Sequence, residues 1–184
     1  LVTNDDGINA PGLKAAIKIA NELSDDVWVF APMEEKSGAS HTLSLTQPLR
    51  MKKKGVQKYA VTGTPTDCVM FATRHMLRDD PPELVLSGVN FGQNIAEDVS
   101  YSGTVAAAKE GTVFGIPSVA LSQAISLDSR HKIRFEVGVK HGSAIIRKLL
   151  KLDWPQDTLM NINFPDIEPN ARCKVRITKQ GKRD

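Results

Sequence analysis

A chain of 184 residues, 41% of them hydrophobic and 24% charged, is long enough for one folded domain with a real core. The formal net charge of +3 is small, and the one basic run, Lys52 to Lys54, is more typical of a solvated loop or strand edge than of a nucleic-acid interface. No apolar stretch approaches the ~20 residues that span a bilayer. Two cysteines without metal-ligand or CxxC spacing favour a reduced, cytoplasmic protein.

The two ends indicate that the chain is a fragment. Residues 1–3 already have the pattern of a strand's last residues, and residues 179–184 stop without a terminating element. We therefore expect a single α/β domain over residues 1–184, truncated at both ends.

Hydrophobic periodicity predicts strands and helices in alternation. Strands are predicted at residues 1–3, 27–31, 49–51, 57–62, 83–87, 116–122, 158–164 and 174–178. Helices are predicted from Pro11, from Pro65 to Leu77, and over residues 104–113 and 133–152. A long polar loop is predicted over residues 32–48. This order predicts a Rossmann-like α/β fold, in which a mostly parallel sheet carries helices on both faces.

The residues that follow the first strand are the sharpest candidate site, because open parallel sheets bind ligands at the carboxyl ends of their strands. Asn4, Asp5, Asp6 and Gly7 stand there. Adjacent carboxylates repel each other, and a divalent cation such as Mg²⁺ or Mn²⁺ removes that repulsion. An ordinary Asp-Asp-Gly turn is the alternative, but the position at a strand end favours a cation site.

Two later loops carry groups suited to a cation or a phosphate. Asn90 and Asn94 lie in a predicted Gly-rich loop, where amide oxygens can ligate a cation and amide nitrogens can bind phosphate, or where both residues simply make turns. Ser102, Gly103 and Thr104 precede a predicted helix. Hydroxyl groups and free backbone N–H groups at a helix start form an anion site, and Ser102 can cap the helix at the same time.

Motifs of several other enzyme classes are missing from the sequence. The first strand is not followed by GxGxxG, the chain has no GxxxxGK[ST], and neither Ser87 nor Ser122 lies in a G-x-S-x-G elbow. The four histidines form no metal-spaced pair, and only His41 lies in a candidate loop. A general-base role for His41 is therefore open, beside a structural or exposed one.

Five loop motifs, taken in order, resemble those of the SurE family, the stationary-phase survival protein E nucleotidases. They are TNDDG at 3–7, Ala31-Pro32 with Ser37, Gly38 and Ser40, GTPTDC at 63–68, SGVN at 87–90 with Gly92 and Asn94, and SGT at 102–104. The resemblance covers the whole chain. It implies a metal-dependent nucleotidase that hydrolyses nucleoside 5′- and 3′-monophosphates, with activity on short polyphosphate in some members.

The resemblance also implies particular residues and partners. One divalent cation per subunit, Mg²⁺ or Mn²⁺, would be held by Asp5, Asp6, Ser37 and Asn90, with the two aspartates as the catalytic residues. Phosphate would be bound by Asn4, Gly38, Asn94, Ser102, Gly103 and Thr104. Family members are dimers or tetramers that exchange a C-terminal extension, so we expect a homodimer or homotetramer carrying part of that extension. Neither a membrane nor a stable nucleic-acid partner is expected.

Alternatives to metal-assisted hydrolysis by water stay open at this point. A phospho-aspartate route ranks lower, because both carboxylates are needed as metal ligands. The same fold could serve a non-catalytic nucleotide-binding protein, or a glycosyl or acyl transferase. The sequence indicates neither the preferred nucleotide nor the preferred cation.

Overall fold

A computed structural model describes residues 1–126 and 134–182, and within them strands and helices alternate as predicted. The strands are β1 (Val2–Thr3), β2 (Val29–Pro32), β3 (Met51–Gly55), β4 (Lys58–Val61), β5 (Val85–Phe91), β6 (Ser118–Gln123) and β7 (Met160–Phe164). The helices are α1 (Pro11–Asn21), α2 (Pro65–Phe71), α3 (Asp98–Tyr101), α4 (Gly103–Val113) and α5 (Glu136–Leu149), and a π-helical turn, Ala72–Met76, continues α2. In the described parts of the chain, no helix has the length and apolar character needed to cross a membrane.

The described strands form one seven-stranded sheet in the order β3-β4-β2-β1-β5-β6-β7. Every neighbouring pair is parallel except β3 and β4. The predicted α/β fold with a mostly parallel sheet is therefore confirmed. Because β1 lies between β2 and β5, the loops that follow these three strands leave the same edge of the sheet side by side.

Helices cover both faces of the sheet, which explains why the central strands are continuously apolar rather than alternating. Successive strand residues point to opposite faces. Thus Val29 and Leu86 pack in the core under α1 and α5, whereas Phe30 and Val85 pack in clusters with residues of α2 and α4. The sheet therefore lies between two layers of helices.

The basic run lies on an edge strand. Lys52 to Lys54 belong to β3, which is exposed along its length and pairs antiparallel with β4 alone. Lysines on an edge strand oppose pairing with another chain, so this run has a structural explanation.

Several elements differ from the prediction. The strand predicted over 49–51 is observed at Met51–Gly55, and the short helix Asp98–Tyr101 was not predicted. The strand predicted over 174–178 does not form, and Val175 and Ile177 are exposed. Alternating apolar residues are compatible with a strand, but a strand also needs a neighbouring strand to pair with. Asn90 lies in β5 rather than in a loop, since β5 runs on to Phe91. The last long helix spans Glu136–Leu149 instead of 133–152, and Ile133 lies outside the described residues.

Candidate functional site

Asp5 is buried at the carboxyl end of β1, in contact with the first turn of α4. Its side chain is 3% exposed, and its Oδ1 accepts a hydrogen bond of 2.5 Å from the hydroxyl of Thr104. Gly103 packs so closely that a Cβ atom there would lie 2.9 Å from the Cβ of Asp5. Burial raises the pKa of Asp5, and hydrogen bonds from the side chain and backbone of Thr104 oppose that rise.

Asp6 lies beside Asp5 and is less buried. Its pKa is raised to about 6, first by burial and then by the neighbouring charge of Asp5. A backbone hydrogen bond from Phe91 acts in the opposite direction, and the charge of Glu35 adds to the rise. Asp6 is therefore joined to the end of β5, one residue beyond Asn90.

Ser37 and Gly38 lie in the loop between β2 and β3, residues 33–50, which we call the Ser37 loop. The N–H of Lys36 donates to the carbonyl oxygen of Asp5 at 2.7 Å, so the loop starts directly beside the carboxylates. The exposed hydroxyl of Ser37 donates to Oε1 of Glu35 at 2.8 Å, which leaves its lone pairs free to act as acceptors. Gly38 has a φ of +74° and open space where a side chain would be.

Asn90 presents its amide oxygen rather than its nitrogen. Its Nδ2 donates to the carbonyl oxygen of Gly92 at 2.9 Å, so Oδ1 remains as an acceptor. The bond from Phe91 to Asp6 and the bond from Lys36 to Asp5 tie the neighbours of Asn90 and Ser37 to the aspartate pair. The fold thus gathers the four predicted metal ligands at one edge.

The predicted phosphate loop forms the start of α4. Ser102 is the N-cap, and its Oγ accepts a hydrogen bond from the N–H of Val105 at 3.1 Å. The hydroxyl hydrogen of Ser102 is left to donate, and the N–H of Gly103 belongs to the unsatisfied first turn of the helix. Thr104 differs from this prediction in one respect, because its hydroxyl already donates to Asp5.

Asn94 and Asn4 occupy different ends of the site. The backbone N–H of Asn94 donates to Oδ1 of Asn163 at 2.8 Å, and its side-chain Nδ2 donates to Ser122, so Asn94 is held by β6 and β7. Asn4 is fully buried beside the aspartates, and its Nδ2 donates to the carbonyl oxygen of Gly7. In the described structure the Oδ1 of Asn4 has no hydrogen-bond partner.

Three residues that matter to this geometry were not predicted. Glu35 raises the pKa of both aspartates and accepts the hydroxyl of Ser37. Asn163 holds Asn94, and a survey of the residues at the end of the last strand would have found it. Glu110 lies within an Ala-rich helix and meets His41, with 2.7 Å between His41 Nε2 and Glu110 Oε2. No local signal in the sequence marks that contact.

The donor set suits a hard divalent cation. Two carboxylates with raised pKa values, the free Oδ1 of Asn90 and the lone pairs of Ser37 are all oxygen ligands, the kind that Mg²⁺ and Mn²⁺ accept. Within residues 1–126 and 134–182, no group of three His, Cys, Asp or Glu side chains could hold a metal ion. That finding is compatible with a site of two aspartates, one serine and one asparagine.

Comparisons with known proteins agree on one family. The model of the family described as "Survival protein SurE" matches residues 1–184. A "5′-nucleotidase SurE" from Parvibaculum lavamentivorans is 55% identical over 184 residues, which are 100% of this chain and 66% of that protein. A protein of the same name from Azorhizobium caulinodans is 58% identical over 100% of this chain and 72% of its own length. A crystal structure of the SurE protein from Aquifex aeolicus is 41% identical, with a TM-score of 0.90, and covers 99% of this chain and 72% of that chain.

Proposed function

The chain belongs to the survival protein SurE family, and on that premise we propose that it is a phosphoric monoester hydrolase that releases phosphate from nucleoside monophosphates. The relatives named 5′-nucleotidase support the reaction class. The observation that carries the proposal is the packing of Gly103 and Thr104 against Asp5. This contact sets a candidate anion site directly beside a candidate cation site, as hydrolysis of a phosphate ester requires.

We assign the binding of one divalent cation, Mg²⁺ or Mn²⁺, to Asp5, Asp6, Ser37 and Asn90. When bound, the cation would neutralise charge on a phosphoryl oxygen and lower the pKa of a bound water. Glu35 supports this assignment, because its carboxylate orients the Ser37 hydroxyl and adds negative charge near both aspartates. The two aspartates are the catalytic residues of the proposal, as ligands rather than as nucleophiles.

We assign phosphate binding to the start of α4 and its surroundings. The N-terminus of a helix favours an anion through its partial positive charge and its free N–H groups. Ser102 and Gly103 offer donors there, and Thr104 contributes by orienting Asp5. The second amide hydrogens of Asn94 and Asn4 and the open backbone at Gly38 complete the proposed set.

The proposal extends to 3′-monophosphates and to short polyphosphate, because the contacts assigned above are all made to the phosphate group. They do not distinguish one nucleoside from another. A homodimer or homotetramer stays a prediction from the family resemblance.

The exchange of Asp6 for Asn tests the proposal. It keeps the shape of the side chain and removes the charge of one proposed cation ligand. Because a bound cation typically lowers the activation barrier by several kcal/mol, we expect phosphate release from AMP with Mn²⁺ to fall by a factor on the order of 10² or more. Asp79→Asn is the matched control, since Asp79 is exposed on the loop before β5. Activity of the Asp6 variant within a few-fold of the control would contradict the assignment.

A further inference from the structure

The Ser37 loop is fastened at several points along its length. Beyond the bond from Lys36 to Asp5, Ser40 Oγ donates to the carbonyl oxygen of Ser100 at 2.9 Å, immediately before the phosphate loop. Thr42 accepts a bond from Thr64 through its carbonyl oxygen, and Ser44 donates twice to Asp67. These last contacts fix the far end of the loop to the start of α2, and they would persist if a contact nearer Ser37 were lost.

A contact between His41 and Glu110 joins this loop to the body of α4. Nε2 of His41 lies 2.7 Å from Oε2 of Glu110, and the two side chains are 32% and 9% exposed. A carboxylate this well buried is costly unless it is hydrogen-bonded. Glu110 also lies towards the C-terminal end of α4, where the helix dipole disfavours negative charge. Both effects favour a tight contact with the imidazole ring.

The position of Glu110 argues against a general-base role for His41. Seven residues separate Gly103 from Glu110 along α4, a distance of about 10 Å at 1.5 Å per residue. A histidine bonded to Glu110 therefore lies away from the phosphate loop at the start of the helix. Its contact is suited to holding the loop in place rather than to transferring a proton at the substrate.

Helix α4 is the common support of the whole candidate site. Its first turn holds Asp5 through Thr104, and its later part holds the Ser37 loop through Glu110. We propose that the contact between His41 and Glu110 positions Ser37 against the aspartate pair and thereby sets the affinity of the site for a divalent cation. This inference rests on the proposed function for the identity of the site, and it makes His41 and Glu110 positioning residues.

Direct binding of Mn²⁺ without substrate tests the inference, with the free ion measured by electron paramagnetic resonance. Groups that orient metal ligands typically change metal affinity by 10–100-fold, so we expect His41→Ala to weaken Mn²⁺ binding by roughly tenfold. Glu110→Gln should weaken it similarly. The double variant should be no weaker than the stronger single one, because both changes remove the same contact. His41→Gln, which can donate from its own Nε2, should recover most of the affinity.

Controls separate positioning from general stability. His75→Ala removes an exposed histidine whose ring packs at a tilt against Phe71, and it should leave Mn²⁺ affinity unchanged. Thermal unfolding of every variant shows whether it is folded. At saturating Mn²⁺, kcat for AMP should stay within about threefold of the parent's for His41→Ala, since Ser37 is then drawn back by the cation itself.

Three results would overturn the inference. The first is a His41→Ala variant that melts at a lower temperature than the parent but binds Mn²⁺ as tightly. The others are losses of Mn²⁺ affinity that add up in the double variant, and a parent protein that does not bind Mn²⁺. The proposed function is decided separately by phosphate release. A parent that binds Mn²⁺ but releases no phosphate from AMP contradicts the hydrolase, while the binding measurements still decide the role of His41.

Discussion

The hydroxyl of Thr104 donates a 2.5 Å hydrogen bond to Oδ1 of Asp5, across 99 residues of sequence. The bond joins the end of the central strand, β1, to the first turn of α4. Hydrogen bonding to a carboxylate favours its charged form, so Thr104 opposes the effect of burial on the pKa of Asp5. One contact thus opposes the protonation of a buried carboxylate and joins the proposed cation site to the proposed phosphate site.

Thr104→Val should weaken the cation site with little change in side-chain size. The variant loses the donor to Asp5, and hydrogen bonds to charged groups contribute about 1.5–3 kcal/mol, so Mn²⁺ affinity at neutral pH should fall roughly 10- to 100-fold. The pKa of Asp5 should rise further, which moves the pH at which Mn²⁺ binds upward. Thr104→Ser keeps the donor and is the control. Equal Mn²⁺ titration curves for the Val and Ser variants would contradict this role.

The elements that could be predicted from the sequence are those with a local cause. Asp5 and Asp6 follow an apolar strand directly, and Ser102 precedes an Ala-rich helix, so their places at a strand end and a helix start follow from patterns a few residues long. The parallel order of the sheet follows from alternation of strands and helices. Local pattern and strand order together therefore predict a candidate site at the carboxyl edge of the sheet.

The contacts that could not be predicted depend on which elements become neighbours. His41 meets Glu110 across 69 residues, and Asn94 meets Asn163 across 69 residues, through the packing of a loop on α4 and the order of β5, β6 and β7. No period or motif in the sequence encodes these neighbours. The strand predicted at 174–178 fails for the converse reason: its pattern alternates, but it pairs with no strand of the described residues.

Gly103→Ala should damage the site by collision. A Cβ at this position would lie 2.9 Å from Asp5 Cβ, closer than real Cβ atoms approach, and a tight 3.0 Å from Asp5 Oδ2, so Asp5 or the helix start must shift. We expect phosphate release from AMP to fall at least about tenfold, since misplacing a catalytic group by ~1 Å can cost 10²-fold. Gly55→Ala, whose Cβ would meet Lys58 Cβ at an ordinary 3.6 Å, is the control. A fully active Gly103 variant would show that this packing is not needed.

Asn163→Ala should separate substrate binding from cation binding. Asn163 accepts the backbone N–H of Asn94 at 2.8 Å, so its loss leaves that N–H without its acceptor, while Asn161 still donates to the Asn94 carbonyl oxygen at 2.9 Å. One lost hydrogen bond of about 1 kcal/mol predicts a rise in KM for AMP of roughly fivefold, with Mn²⁺ affinity unchanged. Asn170→Ala, which loses only an exposed contact to Lys140, is the control. An unchanged KM would remove Asn94 from the proposed phosphate site.

The raised pKa of Asp6 predicts how stability depends on pH when no cation is present. Its pKa rises from the usual 3.8 to about 6 in the folded protein. The folded state therefore binds a proton more readily than the unfolded state between these values, and the free energy of unfolding should fall as pH rises from about 4 to about 6. The burial of Asp5 acts in the same direction. Mn²⁺ should reverse the trend, because in the proposed site it is bound by the two carboxylates in their deprotonated form.

Asp6→Asn should remove part of this pH dependence, because the amide resembles the protonated acid. At pH 7 with a chelator present, the variant should melt above the parent by roughly 2–4 °C for each 1 kcal/mol that the buried charge of Asp6 costs the folded protein. The difference should vanish near pH 4, where Asp6 is protonated in the parent. Addition of Mn²⁺ should raise the melting temperature of the parent more than that of the variant. Melting curves recorded from pH 4 to 8, with and without Mn²⁺, give both comparisons. If the melting temperatures of the two proteins change with pH in parallel, the charge of Asp6 does not destabilise the fold.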